Sequence, residues 1–338
     1  MRSSRIPIPI GDGAALVVVV VVACACACAA PVDLRPKAAL AAHELRVHRP
    51  AAAARILREL AEDNAYARLW LAVALVQDRR LAEAADELAR AEDGWRNGAL
   101  PRLATRLRAT LALEAGRLAQ AERLYAELAR AGDGRARVGL AVVRARGGDW
   151  PAALVELDAA AAALPGAAIV YYDRALAHHA LGDAPAALAD AERAVAIDPL
   201  YPEARNNLAA LYIDAGRLES AGLWLEQTVA LAPDYAAAWG NLGAVRLLQD
   251  DVPGAIAALR RAVERAPSAP EHALNLGIAF LRSGDVDAAR RELRRALSLD
   301  PANEAARRTL RFLEGKEKGQ LFGDPPIAVR PSYGRAVL

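Results

Sequence analysis

Apolar residues recur along most of this chain at the three- and four-residue spacing of one face of an α-helix. No segment shows the strict alternation of apolar and polar residues that indicates a β-strand. A longer period is superimposed on the helical one, because Pro199, Pro233, Pro267 and Pro301 are each 34 residues apart. The same interval separates the members of three further sets: Asn207, Asn241 and Asn275; Leu208, Leu242 and Leu276; and Ala187, Ala221, Ala255 and Ala289. A fixed period of this length predicts an all-α array of stacked repeats.

The repeat resembles the tetratricopeptide repeat (TPR), whose 34-residue helix-turn-helix unit has preferred residues at fixed positions. The unit that begins at Pro270 has Leu276, Gly277, Gly284, Ala289, Ala296 and Pro301 at positions 7, 8, 15, 20, 27 and 32. Small residues at 8, 20 and 27 allow close helix packing. Glycine at 15 supplies the left-handed turn, and proline at 32 ends the second helix. Two units depart from the pattern, with Arg79 and Asp250 in place of the turn glycine.

The resemblance covers roughly residues 34–303 and implies a right-handed α-solenoid of about eight TPR units, with the first helices lining the concave face. Residues 34–133 are predicted to form degenerate units and residues 134–303 regular ones. Residues 304–316 are predicted to form the solvating helix that caps such arrays. The segment 317–338 is rich in glycine and proline, has no period, and is predicted to be a flexible tail or to lie along the surface.

The N-terminus has the layout of a secretory signal. Arg2 and Arg5 precede an apolar core of about ten residues, 14–23, and small residues follow. The sequence VVAC at 21–24 resembles the bacterial lipoprotein signal, in which the cysteine is acylated and the peptide before it is removed. The interpretation is a signal peptide at 1–23, lipid attachment at Cys24 and a tether at 24–33.

Two alternatives to lipidation stay open. The uncharged run at 13–32 is twenty residues long, which is sufficient for a membrane-spanning signal anchor. A plain secreted protein is the other. Cys26 and Cys28 have no assigned role, because the C-x-C-x-C spacing lacks the C-x-x-C arrangement of zinc and redox sites.

Polar residues at position 6 of successive units are candidates for peptide binding, since the resemblance places this position in the concave groove. An amide offers both a donor and an acceptor to an extended peptide backbone, as in the asparagine ladder of the O-linked N-acetylglucosamine transferase superhelix. The alternative is that each asparagine only bonds the neighbouring helix. If the amides bind peptide, replacing Asn207 and Asn241 weakens binding with little change in melting temperature. The predicted site comprises Tyr172, Asp173, His179, Asn206, Asn207, Asn241 and Asn275.

Charge and motif content exclude several functional classes. Forty-three basic and forty-one acidic residues leave a net charge of +2, too small for a general nucleic-acid binder. His178 and His179 point about 100° apart on a helix, and no H-E-x-x-H motif occurs, so no metal site is predicted. No G-x-S-x-G motif, phosphate loop or dinucleotide fingerprint is present. We therefore predict a protein without catalytic residues, metal or cofactor.

The combined hypothesis is a non-catalytic envelope lipoprotein, on the periplasmic face of the outer membrane, that binds a protein or extended peptide in its groove. Lipidated proteins with this repeat include the pilotins, which assist secretin assembly in type IV pili and related secretion systems, so a pilotin-like role is one form of the hypothesis. The alternative is an adaptor with an inner-membrane signal anchor in a polysaccharide or envelope-biogenesis complex. A third possibility is a docking array for an enzyme whose catalytic domain lies on another chain.

Overall fold

The computed structural model describes residues 35–46, 49–62, 64–95 and 102–317, and every regular element in these ranges is an α-helix. The predicted all-α class is therefore confirmed for the described residues. The chain divides into two compact units, whose described parts are residues 35–200 (the N-terminal unit) and 201–317 (the C-terminal unit). Among the described helices, none combines the length and the apolar character needed to cross a membrane.

Helices pair in sequence within each unit, each odd-numbered first helix packing on the even-numbered second helix that follows it. The N-terminal unit contains α1 (Arg35–Arg46), α2 (Pro50–Leu60), α3 (Ala65–Gln77), α4 (Leu81–Asp93), α5 (Arg102–Glu114), α6 (Leu118–Arg130), α7 (Gly134–Arg146), α8 (Trp150–Ala163), α9 (Ala168–Ala180) and α10 (Ala184–Ile197). The C-terminal unit contains α11 (Pro202–Asp214), α12 (Leu218–Leu231), α13 (Ala236–Leu248), α14 (Val252–Arg265), α15 (Pro270–Ser283), α16 (Val286–Leu299) and α17 (Glu304–Glu317).

In the pairs whose second helix begins after an aspartate, the turn is made by two residues with separate roles. Gly148, for example, has a φ of 84°, and the side chain of Asp149 then caps α8 by accepting from the backbone N–H of Ala152. Arg79 and Asp250, which replace the turn glycine, keep the same left-handed backbone, with φ of 62° and 66°. The period therefore predicts the turn correctly even where the residue type does not.

After three of the second helices, the carbonyl of the following proline accepts a hydrogen bond from a side chain six residues later. Trp239 Nε1 donates to the Pro233 carbonyl at 2.8 Å, and the Tyr171 hydroxyl donates to the Pro165 carbonyl at 3.3 Å. In α17 the same relation holds between Arg307 and the carbonyl of Pro301. The large residue at position 4 thus supplies a side-chain donor to the carbonyl of the residue that follows the helix C-cap.

Alanines at positions 20 and 27 make the close helix contacts that the repeat requires. All are fully buried in the regular units; they are Ala153, Ala160, Ala187, Ala194, Ala221, Ala255, Ala262, Ala289 and Ala296. Helix α17 buries Ala306, Thr309 and Leu313 and exposes Arg308 and Arg311, so it has the one-sided character expected of an end helix.

Arginines at position 13 join neighbouring repeats. Arg146 donates to the Leu113 carbonyl at 3.2 Å and lies 2.5 Å from the Glu114 carboxylate, both on the preceding first helix. Arg282 makes the equivalent bonds in the C-terminal unit, to the carbonyl of Leu247 and the carboxylate of Asp250. A cation placed on the last-turn carbonyls satisfies acceptors that have no partner within the helix and complements the helix dipole.

Candidate functional site

The side of each first helix that carries the asparagines is fixed by the small residue at position 8. A Cβ atom added at Gly243 would lie 2.4 Å from Leu259 Cγ on α14, and one added at Gly277 would lie 2.9 Å from Leu293 Cγ on α16. Position 8 therefore faces the second helix. Position 6 lies two residues earlier, about 200° around the helix, so Asn241 and Asn275 point away from the second helix of their own repeat.

Positions 6 and 9 of the three first helices in the C-terminal unit together form one surface, which we call the amide face. Its residues are Asn207, Asn241 and Asn275 at position 6, and Ala210, Ala244 and Ile278 at position 9. None of these side chains carries a formal charge. The amides can donate and accept, and the aliphatic groups beside them offer apolar contact. The chemistry suits an uncharged, extended backbone with apolar side chains.

The amide face is almost completely buried. Asn207, Asn241 and Asn275 are 2%, 1% and 3% exposed, and Asn206, at position 5, is 0% exposed. Asn241 Nδ2 donates to Asn206 Oδ1 at 2.9 Å, which connects α13 to α11. The structure therefore brings these two predicted site residues into direct contact, as the neighbouring-helix alternative anticipates for this pair. The use of the amides in peptide binding stays a prediction.

His272, which the sequence analysis did not single out, occupies the equivalent place at the next junction. Position 5 of α13 is Gly240, and a Cβ atom there would lie 2.6 Å from Cε1 of the His272 ring. His272 is 3% exposed, and its Nδ1 has no hydrogen-bond partner in the described structure. Burial lowers the pKa of His272 below its usual value of 6.5, and Glu271 partly opposes this shift. A glycine inside a helix, away from any turn, was the signal for this close approach.

The other predicted site residues lie on α9 of the N-terminal unit. Tyr172 and Asp173 are buried, at 1% and 3% exposed, and His179 is half-buried. Cys24 and the rest of the predicted signal lie outside the described residues, as does the segment 318–338.

His178, which neighbours the predicted site residue His179, lies in a cluster of charged residues on α9 and α10. Arg174 occupies position 7, where the repeat has leucine, and donates to both oxygens of Asp190 at 2.7 and 2.6 Å. His178 Nε2 lies 3.6 Å from Asp190 Oδ2, and its Nδ1 lies 3.7 Å from Asp183 Oδ2. These contacts join α9 to α10 and to the turn before it. Within the described ranges, no group of three or more His, Cys, Asp or Glu residues is arranged to hold a metal ion.

Sequence profiles described as tetratricopeptide repeat match residues 106–168, 178–245 and 246–311, which together make up more than half of the 338 residues. No curated protein sequence matches the chain.

Solved structures with a similar fold include a chain of the APC/C hetero-tetramer Cut9–Hcn1. Its TM-score is 0.70 at 17% identity, over 82% of this chain and 55% of that one, so the present chain spans about half of its length. A tetratricopeptide repeat protein from Parabacteroides merdae has a TM-score of 0.51 at 15% identity, over 74% of this chain and 98% of that one. YrrB, described as a TPR protein with an unusual peptide-binding site, has a TM-score of 0.42 at 16% identity, over 56% and 93%.

At these identities the structural similarity concerns the fold, and the family is established by the sequence profiles. Repeats of this type build extended surfaces that bind other proteins. The spacing of the signature residues, the helix-turn-helix pairs and the profile matches lead to one conclusion: the chain belongs to the tetratricopeptide repeat family.

Proposed function

We propose that this chain is a non-catalytic scaffold that binds a protein or an extended peptide in the concave groove of its repeats. The observation that carries the proposal is the amide face, where three asparagines at 34-residue intervals project away from the second helix of their own repeat, with aliphatic residues beside them. An amide row recognises a peptide backbone whatever its sequence, while the apolar groups contribute affinity.

The proposal includes attachment to the bacterial cell envelope through a lipid at Cys24. Support comes from the short basic region, the apolar core and the VVAC sequence at 21–24. Several acyl chains on one residue give stable anchoring, where one chain gives only marginal binding. The proposed location is the periplasmic face of the outer membrane. A pilotin-like role in assembling a pilus or secretion secretin is the narrower form of this proposal.

Groove binding is tested by capturing the partner from envelope extracts with the full chain and then comparing variants. We expect Asn207→Ala combined with Asn241→Ala to weaken partner binding by about ten-fold, equivalent to about 1.4 kcal/mol. Gly243→Ala is the control for lost stability, because its strain lies on the opposite side of α13, against Leu259. Equal loss of binding in both variants would mean that stability, and not the amides, controls the interaction.

Lipid attachment is tested by Cys24→Ser, with Cys26→Ser as the matched control. Mass spectrometry should show an unprocessed, unacylated precursor for Cys24→Ser and a normally processed lipoprotein for Cys26→Ser. Normal processing of Cys24→Ser would refute lipidation. A chain that stays uncleaved and membrane-bound in all forms would favour the signal-anchored adaptor of a polysaccharide or envelope-biogenesis complex.

A further inference from the structure

We propose that the C-terminal segment of this chain, residues 318–338, binds to the amide face and competes there with the partner. The competition rests on the proposed groove binding. The docking of the segment does not, because it concerns only this chain.

The amide face of the C-terminal unit is buried. In the C-terminal unit, the described helices pack against α11, α13 and α15 from the side of the second helices and from the neighbouring first helices. The amide face points away from the second helix of each repeat, yet its six side chains are only 0–3% exposed. Asparagine is mostly exposed in folded proteins. A polar face this deeply buried, in a fold of two helix layers, calls for a covering segment.

The C-terminal segment begins close enough in the chain to reach the amide face. Helix α17 ends at Glu317, at the C-terminal end of the same unit, and 21 residues follow it in the chain. An extended chain advances about 3.3 Å per residue, so the segment spans up to roughly 70 Å. Three first helices at an interaxial distance of about 10 Å occupy roughly 30 Å. The segment is long enough to turn back and to cross the whole amide face.

The C-terminal segment and the amide face are chemically complementary. The segment reads KGQLFGDPPIAVRPSYGRAVL, and its prolines at 325, 326 and 331 favour an extended backbone without internal hydrogen bonds. Such a backbone leaves its remaining N–H and C=O groups available to asparagine side chains. The aliphatic and aromatic residues of the segment, among them Leu321, Phe322 and Ile327, match the apolar groups at position 9. Of the possible occupants, this segment is the one that every molecule carries.

Site-specific photo-crosslinking of the full chain tests the docking. A photoreactive benzophenone residue replaces Phe322 in one sample and Val155 in the control, which lies on α8 and is 65% exposed. After irradiation, mass spectrometry of tryptic peptides should show intrachain crosslinks from position 322 to α11, α13 or α15, and none to these helices from position 155. Crosslinks to other helices, crosslinked dimers or no crosslinks from position 322 would overturn the proposal; dimers would assign the face to a second copy.

Competition is tested with Phe322→Ser combined with Ile327→Ser, and with Ser332→Ala as the control. Removing the internal ligand raises the fraction of molecules with an open face, so the captured partner should bind about ten-fold more tightly to the double variant and unchanged to the control. Positive crosslinks with unchanged partner affinity would overturn competition while docking stands. Negative crosslinks together with weakened binding by the asparagine variants would overturn the docking and leave the proposed function intact.

Discussion

The hydrogen bond between Asn241 and Asn206 changes what should follow from removing an asparagine of the row. The sequence alone led to the expectation that replacing Asn207 and Asn241 leaves the melting temperature nearly unchanged. In the structure both members of the Asn206–Asn241 pair are buried, so deleting one removes a partner from the other at a site that water does not reach.

We therefore predict that Asn241→Ala lowers the free energy of unfolding by about 1–3 kcal/mol. Urea denaturation of Asn206→Ala, Asn241→Ala and the double variant forms a cycle that isolates the pair. The double variant should be less destabilised than the sum of the single ones, with a coupling of about 0.5 kcal/mol or more. Simple additivity would show that the pair contributes nothing as a pair.

His272 is predicted to make stability depend on pH. Its pKa in the folded chain lies below the ordinary value of 6.5, because the buried ring favours the neutral form. As the pH falls through 6.5, the unfolded chain takes up a proton before the folded chain does. The contribution of the neutral ring is therefore complete above this pH and is lost below it, until the folded pKa is passed.

Urea denaturation at pH 7.5 and at pH 5.5 should show a loss of stability on acidification that His272→Gln reduces. Gly243→Ala serves as the control, because it removes no titratable group and leaves His272 in place. It should keep the dependence of the unsubstituted protein. A pH dependence identical in all three proteins would exclude His272 as its source.

At the scale of the element, two helical glycines with different surroundings separate packing from helix propensity. Gly243 in α13 faces Leu259 so closely that an added Cβ would lie 2.4 Å from Cγ. Gly222 in α12 would place a Cβ 3.6 Å from Val245 Cγ1, an ordinary contact. The same substitution should therefore have opposite effects at the two positions.

We predict that Gly243→Ala destabilises the protein by about 1–3 kcal/mol through overpacking. Gly222→Ala should stabilise it by up to about 1 kcal/mol, because alanine reduces the entropy lost on forming the helix. Thermal and urea unfolding measure both. Equal effects of the two substitutions would contradict the assignment of position 8 to the helix interface.

The elements were largely predictable because each break carries its own chemistry. Proline marks the end of a second helix, and a Gly-Asp pair such as Gly148 and Asp149 marks both the left-handed turn and the next N-cap. At Asp250 the residue type alone does not require positive φ, and only the 34-residue period places the turn there. Periodicity therefore carried the prediction where local preference did not.

At the scale of the molecule, the sequence predicts which asparagines align in a row, but it does not predict how deeply the surface that they form is buried. A 34-residue interval places equivalent residues on the same side of successive first helices, which the structure shows for Asn207, Asn241 and Asn275. Their burial depends on the distance between neighbouring helices and on what covers the face. Those quantities are determined by residues elsewhere, such as Gly240, whose missing side chain admits the ring of His272. No periodic pattern contains that information.

Because the described chain divides into two compact units, we predict that stability differs locally along the array. Helices in each unit contact mainly their neighbours in sequence, so the array should lose structure locally. Gly139 on α7 is a closely packed glycine of the N-terminal unit; it lies at position 6 and faces the preceding second helix, since a Cβ there would lie 2.4 Å from Cε1 of Tyr125 on α6.

Hydrogen exchange followed by mass spectrometry compares Gly139→Ala with Gly243→Ala in the full chain. The first should lower protection in α6, α7 and their neighbours, and the second in α13, α14 and theirs, because each overpacked contact weakens interfaces with adjacent repeats before distant ones. The pattern of protection should thus move with the substitution. If both substitutions lower protection equally along residues 35–317, the chain unfolds as one cooperative body, and a partner bound to the C-terminal unit would stabilise the whole array instead of its own repeats.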